Sequence, residues 1–185
     1  MNRIPTDRLR LLLVPGSLRS RSTNTAVLRT AQALAPVGVA AVLYTNLAKL
    51  PPFNPDDDVE DRPKPEPVET LRALIGASDA LIIAAPEYAH GLPGALKNAL
   101  DWLVASETFA GKPVALINTS PRAFHAQASL RETLVTMAAR VVPEAFAELS
   151  LAGKSPSADE VLADPANARK LKEALEALGR ALKSS

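Results

Sequence analysis

The sequence predicts an α/β protein in which a five-stranded parallel sheet is covered by helices on both faces. Short apolar runs alternate five times along the 185 residues with segments whose apolar side chains recur at helical spacing. The central run, 81–85, is apolar throughout, which is typical of a strand buried on both faces. Right-handed crossovers join such strands into a doubly wound sheet, and the length suits a single domain over residues 1–185.

Each predicted strand is a short apolar run bounded by turn-forming residues or proline. Pro86 ends the third strand, because proline has no N–H to donate to a sheet. Pro143 interrupts the fifth, which is therefore predicted to be a weak edge strand. The five strands are predicted at residues 9–14, 38–44, 81–85, 114–118 and within 141–149.

The helices are predicted from apolar residues three or four positions apart. Thr23 or Asn24 is suited to cap the first helix, and Pro93 starts the third at a position that needs no N–H. The connection 46–67 is too polar for the core, and 155–164 is predicted to be a polar link. The other helices are marked by Val68, Leu71 and Ile75, by Leu130, Leu134 and Met137, and by Leu171, Leu175, Leu178 and Leu182.

The composition argues against several classes of protein. A net charge of +1 gives no support to an obligatory nucleic-acid partner, and the absence of cysteine excludes disulfides and thiolate sites. No apolar run approaches the roughly 20 residues of a membrane span, and 9–14 is too short for a signal-peptide core. We therefore predict a cytoplasmic protein. The acidic segment 56–61 lacks the EF-hand glycine and final glutamate, so it is interpreted as a solvated loop and no metal site is predicted.

Loops after the first, third and fourth strands all leave carboxyl ends, so we expect them to converge at one crevice. The first loop offers hydroxyls, an amide and guanidinium groups beside a helix start, which suits a compact dianion such as a phosphomonoester. It has no G-x-G-x-x-G or Walker pattern. A capped helix after a polar turn is the alternative interpretation. The polar residues are Ser17, Arg19, Arg21, Ser22, Thr23 and Asn24.

The loop after the third strand, 86–91, places an aromatic ring and a carboxylate at this edge. Glu87 is interpreted as a general acid/base, as a residue that orients the loop, or as a residue that pairs across a subunit contact. Tyr88 is suited to stack on a ligand ring or to pack against the protein. A backbone in such a loop can approach a planar heterocycle.

The loop after the fourth strand, 119–126, offers backbone donors and a cation, Arg122. His90 and His125 lie in these last two loops, where either can serve as a proton donor or have no catalytic role. A serine hydrolase is not indicated, because the G-x-S-x-G nucleophile elbow is absent.

Three motifs, in this order, resemble the NADPH-dependent FMN reductase family, which includes flavodoxin-like quinone, azo and chromate reductases. They are GSLRSRSTN at 16–24, PEYAHGLPGALKNALDWL at 86–103 and SPRAFHAQASLRETL at 120–134, and the LPPFNPD segment at 50–56 also resembles the family. The resemblance covers roughly 9–149. It implies a flavodoxin-like three-layer sandwich, bound FMN, two-electron reduction by NADPH or NADH, a small-molecule acceptor, and homodimers that often pair into homotetramers.

The resemblance also implies which residues meet FMN. The 93–103 helix, with Lys97, Asn98, Asp101 and Trp102, is implied at the subunit contact. Because the chemistry belongs to FMN, no protein side chain is predicted to be catalytic. The implied FMN ligands are Ser17, Arg19, Ser22, Thr23 and Asn24 for the phosphate, Pro86, Glu87, Tyr88, Ala89, His90 and Gly91 for the ribityl chain and ring, and Ser120, Pro121 and Arg122 for the far side of the ring.

Two positions depart from the family pattern. Ala89 stands where many members have asparagine, and residues 122–125 replace glycines, which allow close backbone approach and positive φ. The predicted function is an FMN-dependent NAD(P)H oxidoreductase that passes two electrons by a ping-pong mechanism to a quinone, a flavin or a similar acceptor. The alternative is an FMN-binding redox-sensing or flavin-carrying protein with little turnover.

Overall fold

A parallel sheet forms the centre of the protein, as the computed structural model of residues 8–184 shows. The strand order is β2-β1-β3-β4-β5, with β6 also pairing with β4. Residues 1–7 and 185 of the predicted single domain lie outside the described residues. The strands are β1 (Leu9–Pro15), β2 (Val39–Leu43), β3 (Ala80–Ala84), β4 (Pro113–Asn118), β5 (Arg140–Val141) and β6 (Ala147–Glu148).

The last position of the sheet is shared by two short strands, β5 and β6, which pair with opposite ends of β4. Pro113 is in register with Arg140, and Ile117 with Ala147. Between them lies a 3₁₀ turn that begins at Pro143. The predicted weak edge strand, interrupted by proline, is confirmed.

Helices cover both faces of the sheet, as predicted. Side chains point alternately to the two faces of the sheet along β1. Leu12 and Val14 lie on the face covered by α2, α3 and α4. Leu11 and Leu13 lie on the face covered by α1, α5 and α6. Within residues 8–184, no helix is long and apolar enough to cross a bilayer. The helices are α1 (Thr23–Ala33), α2 (Glu66–Gly76), α3 (Gly94–Asp101), α4 (Phe124–Thr136), α5 (Ala158–Ala163) and α6 (Pro165–Lys183).

Two local predictions about helices are wrong. Helix α1 is capped by Ser22, whose Oγ accepts a hydrogen bond from Thr25 N, and not by Thr23 or Asn24. The segment predicted to be a polar link contains α5, which a reciprocal capping box between Ser157 and Glu160 stabilises.

The connection 46–67 is partly in the core, contrary to prediction, because Leu47 and Leu50 are buried. The adjoining Pro51 carbonyl accepts hydrogen bonds from Trp102 Nε1 at 2.8 Å and Asn98 Nδ2 at 2.9 Å. We call residues 50–53, which these bonds hold on α3, the strap. Trp102 is fully buried in the protomer, so its implied place at a subunit contact is wrong.

The acidic segment is not wholly solvated either. The Asp58 carboxylate is 5% exposed and lies 2.7 Å from Arg72 Nη2, which also donates to the Trp102 carbonyl. Asp57, which is half exposed, pairs with Arg62 at 3.3 Å. This segment is therefore held against α2 and the end of α3.

Candidate flavin site

A cavity of about 520 Å³ opens at the carboxyl edge of the sheet. Its wall combines residues from all three predicted loops, so the predicted convergence is observed. Ala89, His90, Gly91 and Pro121 are not part of this wall. The predicted residues that line it are Ser17, Arg19, Ser22, Thr23, Asn24, Pro86, Glu87, Tyr88, Ser120 and Arg122.

The first two loops meet because the backbone at Gly16 touches the end of β3. A Cβ atom at Gly16 would lie 2.8 Å from Ala85 Cβ and 2.9 Å from Leu96 Cδ2, closer than side chains pack. Gly16 N also donates to the Ala84 carbonyl at 2.8 Å. Glycine is therefore required here by close approach.

Cross-loop hydrogen bonds hold the end of the cavity formed by Ser17, Arg19, Ser22, Thr23 and Asn24, which we call the phosphate end. Thr119 Oγ1 donates to Asn24 Oδ1 at 3.1 Å, and Thr23 Oγ1 donates to the Lys154 carbonyl at 2.9 Å. The Thr23 hydroxyl hydrogen is thus already used within the protein. The Asn24 amide NH₂ has no hydrogen-bond acceptor within residues 8–184, so it is available to an anion in the cavity.

The wall carries an excess of positive charge. Arg19, Arg122 and Lys154 line it, and none of the three forms an ion pair within the described chain. The carboxylate among the described lining residues is Glu87, whose Oε2 accepts a hydrogen bond from Ala126 N at 2.9 Å. Glu87 therefore caps α4, where Ala123 at the N-cap position supplies no side-chain bond. This geometry supports the orienting role of Glu87 over a general base.

Another part of the wall is bordered by Tyr88 and Arg122, and we call it the ring end after the role predicted for these residues. The turn that follows Tyr88 adjoins it. Tyr88 N donates to the Gly91 carbonyl at 3.1 Å and Gly91 N to the Tyr88 carbonyl at 2.9 Å. The central residues Ala89 and His90 have φ of 48° and 58°. Two positive φ values suit Asn-Gly, so alanine and histidine are strained here. Tyr88 is 49% exposed, which leaves its ring free to cover a ligand.

The two histidines contact each other. Their rings are stacked with centroids 4.3 Å apart, and Phe124 packs on His125 at 4.0 Å. Neither histidine lines the cavity. This contact joins the strained turn to the first turn of α4, which is a packing role and gives no support to a proton donor.

The glycine-poor loop adopts ordinary backbone conformations. No residue from 119 to 126 has a positive φ. Ala123 N donates to the Ser120 carbonyl at 2.9 Å, and Ser120 N donates to Asn118 Oδ1 at 3.2 Å. The missing glycines are therefore not needed for the path of this chain.

Sequence reasoning missed part of the wall: Thr119, Ala123 and the segment 151–155. The segment follows β6, so its position at the same edge was implied by the parallel topology. The short, split fifth strand concealed where the carboxyl end lay.

The residues present fit FMN. The cavity volume lies within the roughly 300–1,000 Å³ of small-molecule sites. Arg19 and the free amide of Asn24 suit a phosphate, while Tyr88 and Pro86 offer surfaces for a planar ring. Fold and cavity thus define an α/β protein whose sheet edge is suited to a phosphorylated ring compound.

Comparison with known proteins identifies the family to which the chain belongs. Residues 9–153 match the model of the family described as NADPH-dependent FMN reductase, so the chain belongs to that family. The family resemblance, the flavodoxin-like fold and the expectation of an oxidoreductase that uses FMN with NAD(P)H are confirmed.

Bacterial relatives agree with this assignment. The NAD(P)H-dependent FMN reductase of Pseudomonas aeruginosa is 40% identical over 135 residues, which are 70% of this chain and 71% of the relative. The quinone reductase of Escherichia coli is 36% identical over 143 residues, 74% and 75% of the two chains. The solved flavoenzyme NAD(P)H:(acceptor) oxidoreductase FerB of Paracoccus denitrificans has a TM-score of 0.75 at 28% identity, covering 95% of this chain and 98% of FerB.

Proposed function

We propose that this protein transfers two electrons from NAD(P)H, through FMN bound in the three-loop cavity, to a quinone, a flavin or a similar small acceptor by a ping-pong mechanism. The observation that carries the proposal is the charge of the wall. Its cations form no ion pair within residues 8–184, whereas the Glu87 carboxylate caps a helix. Such a wall suits binding of an anionic cofactor better than acid–base chemistry by a side chain.

Each end of the cavity has a separate task in this proposal. At the phosphate end, Arg19 and the Asn24 amide bind the phosphate beside the N–H groups that open α1. At the ring end, Pro86 and Tyr88 orient the ring, and Ser120 borders its far side. When bound, FMN supplies the chemistry, taking a hydride from NAD(P)H and passing two electrons to the acceptor.

Donor and acceptor both have to reach the ring end, so we propose that they occupy it in turn. The half-exposed Tyr88 and the exposed Arg122 border this end. The Arg122 cation favours a ligand that gains negative charge on reduction. Two relatives are named FMN reductase and quinone reductase, which supports a flavin or a quinone as the acceptor.

An anaerobic titration tests the proposal. The purified protein is loaded with FMN, NADPH is added, and the flavin absorbance is followed before and after addition of a quinone. We expect bleaching and then recovery, with parallel double-reciprocal plots in steady-state kinetics. Arg122→Ala should slow the bleaching.

Other outcomes have definite meanings. Protein that takes up no FMN would overturn the proposal. Flavin that binds but does not bleach would favour the redox-sensing or flavin-carrying alternative, and intersecting reciprocal plots would contradict the ping-pong order.

The α3 helix is also proposed as part of a homodimer or homotetramer contact. Lys97 and Asp101 pair on its surface, and the following Val104 is 65% exposed. Light scattering of the wild type and of Val104→Glu tests this contact, since a charge in an apolar contact should lower the measured mass. A location in the cytoplasm stays a prediction.

A further inference from the structure

We infer that Lys154, from the segment that follows β6, is a ligand of the FMN phosphate and that the fifth strand thereby contributes to cofactor recognition. The inference rests on the proposed binding of FMN in this cavity. It adds a residue far in sequence from the family motifs, which end well before it.

Two hydrogen bonds fix the backbone of Lys154 at the phosphate end. Leu151 N donates to the Thr119 carbonyl at 3.1 Å, which attaches the segment to the loop after β4. Thr23 Oγ1 donates to the Lys154 carbonyl at 2.9 Å, which attaches it to the first turn of α1. Between these two bonds, Gly153 turns the chain with a φ of 73°.

The ammonium group of Lys154 has no hydrogen bond or ion pair within residues 8–184. Several other lysines are engaged: Lys97 with Asp101, Lys112 with the Ser78 carbonyl and Lys170 with the Glu148 carbonyl. Lys154 instead lines the cavity with Arg19 and Ser22. A free cation on a flexible stem, placed beside a helix N-terminus, is suited to a phosphate as a point charge.

Arg21 is another cation that could bind the phosphate, but it lies outside the cavity wall. It does not line the cavity but borders a neighbouring depression with Glu160. The pKa of Glu160 is lowered chiefly by its hydrogen bonds to Ser157, and the Arg21 charge lowers it further. Arg21 therefore lies beside a carboxylate outside the cavity. Lys154 also borders a depression with Arg21, Glu160 and Asp164, but Lys154 lines the cavity itself and Arg21 does not.

The experiment compares two ligands that differ by the phosphate. Dissociation constants of FMN and riboflavin are measured by quenching of flavin fluorescence for the wild type, Lys154→Ala and Lys154→Arg. Lys172→Ala, an exposed lysine on α6, is the matched control. We expect Lys154→Ala to weaken FMN about five- to tenfold, the scale of one charge-assisted contact, with riboflavin unchanged. Lys154→Arg should recover most of the affinity, and added salt should reduce the difference.

The results separate this inference from the proposed function. Wild-type binding of FMN with no loss in Lys154→Ala would overturn the inference and leave the function intact. Equal loss of FMN and riboflavin affinity would also overturn it, because the segment would then act by shaping the cavity. A wild type that binds neither ligand would overturn the proposed function itself.

Discussion

The two ends of the cavity are built differently. At the phosphate end, Asn24 and Thr119 are 5% and 6% exposed and bond to each other across loops. At the ring end, Tyr88 is 49% exposed and is followed by two residues with positive φ. This difference suits the proposed binding of FMN: the fixed donors would hold the cofactor, and the exposed end would stay accessible to the electron donor and acceptor.

The largest expected effect, on FMN affinity, comes from placing a negative charge at the phosphate end. Asn24→Asp keeps an oxygen for the Thr119 hydroxyl but replaces the free NH₂ donor with a negative charge. We expect FMN to bind about 2 kcal/mol more weakly, roughly thirtyfold, because a hydrogen bond to a charged group is lost. Fluorescence titration measures this, and Asn46→Asp, outside the cavity, controls for the added charge. Unchanged FMN affinity would remove Asn24 from the phosphate site.

A smaller effect, on the free energy of unfolding, is expected at Glu87, which lines the cavity. Glu87→Ala leaves Ala126 N without its acceptor, which should cost about 1 kcal/mol of unfolding free energy, as loss of a helix cap does. Glu87→Gln keeps an acceptor oxygen and should recover most of it. Urea unfolding of the flavin-free protein gives these values. A Gln variant that is stable but fails to turn over would mean that the carboxylate takes part in the chemistry.

At the ring end, relief of backbone strain should stabilise the protein slightly. Ala89→Gly removes the Cβ from a residue at φ 48°, and we expect a gain of about 0.5–1 kcal/mol. Ala138→Gly, at φ 58° and away from the cavity, should give a similar gain. Ala152→Gly, where φ is not positive, should give none. If Ala89→Gly alone also changes the rate of acceptor reduction, the strained turn contributes to exchange at this end.

The smallest effect at neutral pH is expected outside both ends, at Tyr44. Its buried hydroxyl has no partner within the described chain, so Tyr44→Phe should be nearly neutral at pH 7. Burial, with a smaller contribution from Glu66, raises the pKa of Tyr44 to about 12. Because the unfolded pKa is about 10, the folded state binds the proton more tightly, and stability is lost as pH rises from about 10 to 12. Unfolding measured across this range should show the loss in the wild type and a smaller one in Tyr44→Phe.

Sequence reasoning succeeded where a pattern repeats along the chain. Strands β1, β3 and β4 each contain a continuous apolar run, and their parallel order brings Ser17, Glu87 and Ser120 to one edge. It failed where a few residues give a segment a structure that its overall polar composition does not indicate. Leu47 and Leu50 are buried within a polar segment, and α5 is held by one capping box in a segment that is otherwise polar.

Individual hydrogen bonds between distant residues could not be predicted. The bond from Thr23 to Lys154 spans 131 positions and depends on where two loops end in space. The cap that Glu87 gives α4 is likewise a consequence of packing, since neither residue carries a local capping signal for the other.

The strap gives this protein a built-in optical reporter. Trp102 is its one tryptophan, buried with its indole N–H bonded to Pro51 and its ring 5.1 Å from Phe53. Detachment of residues 50–53 would expose the indole to water and shift its emission to longer wavelength. Tryptophan emission that moves before the far-ultraviolet circular dichroism during unfolding would therefore show the strap leaving α3 while the sheet is still intact.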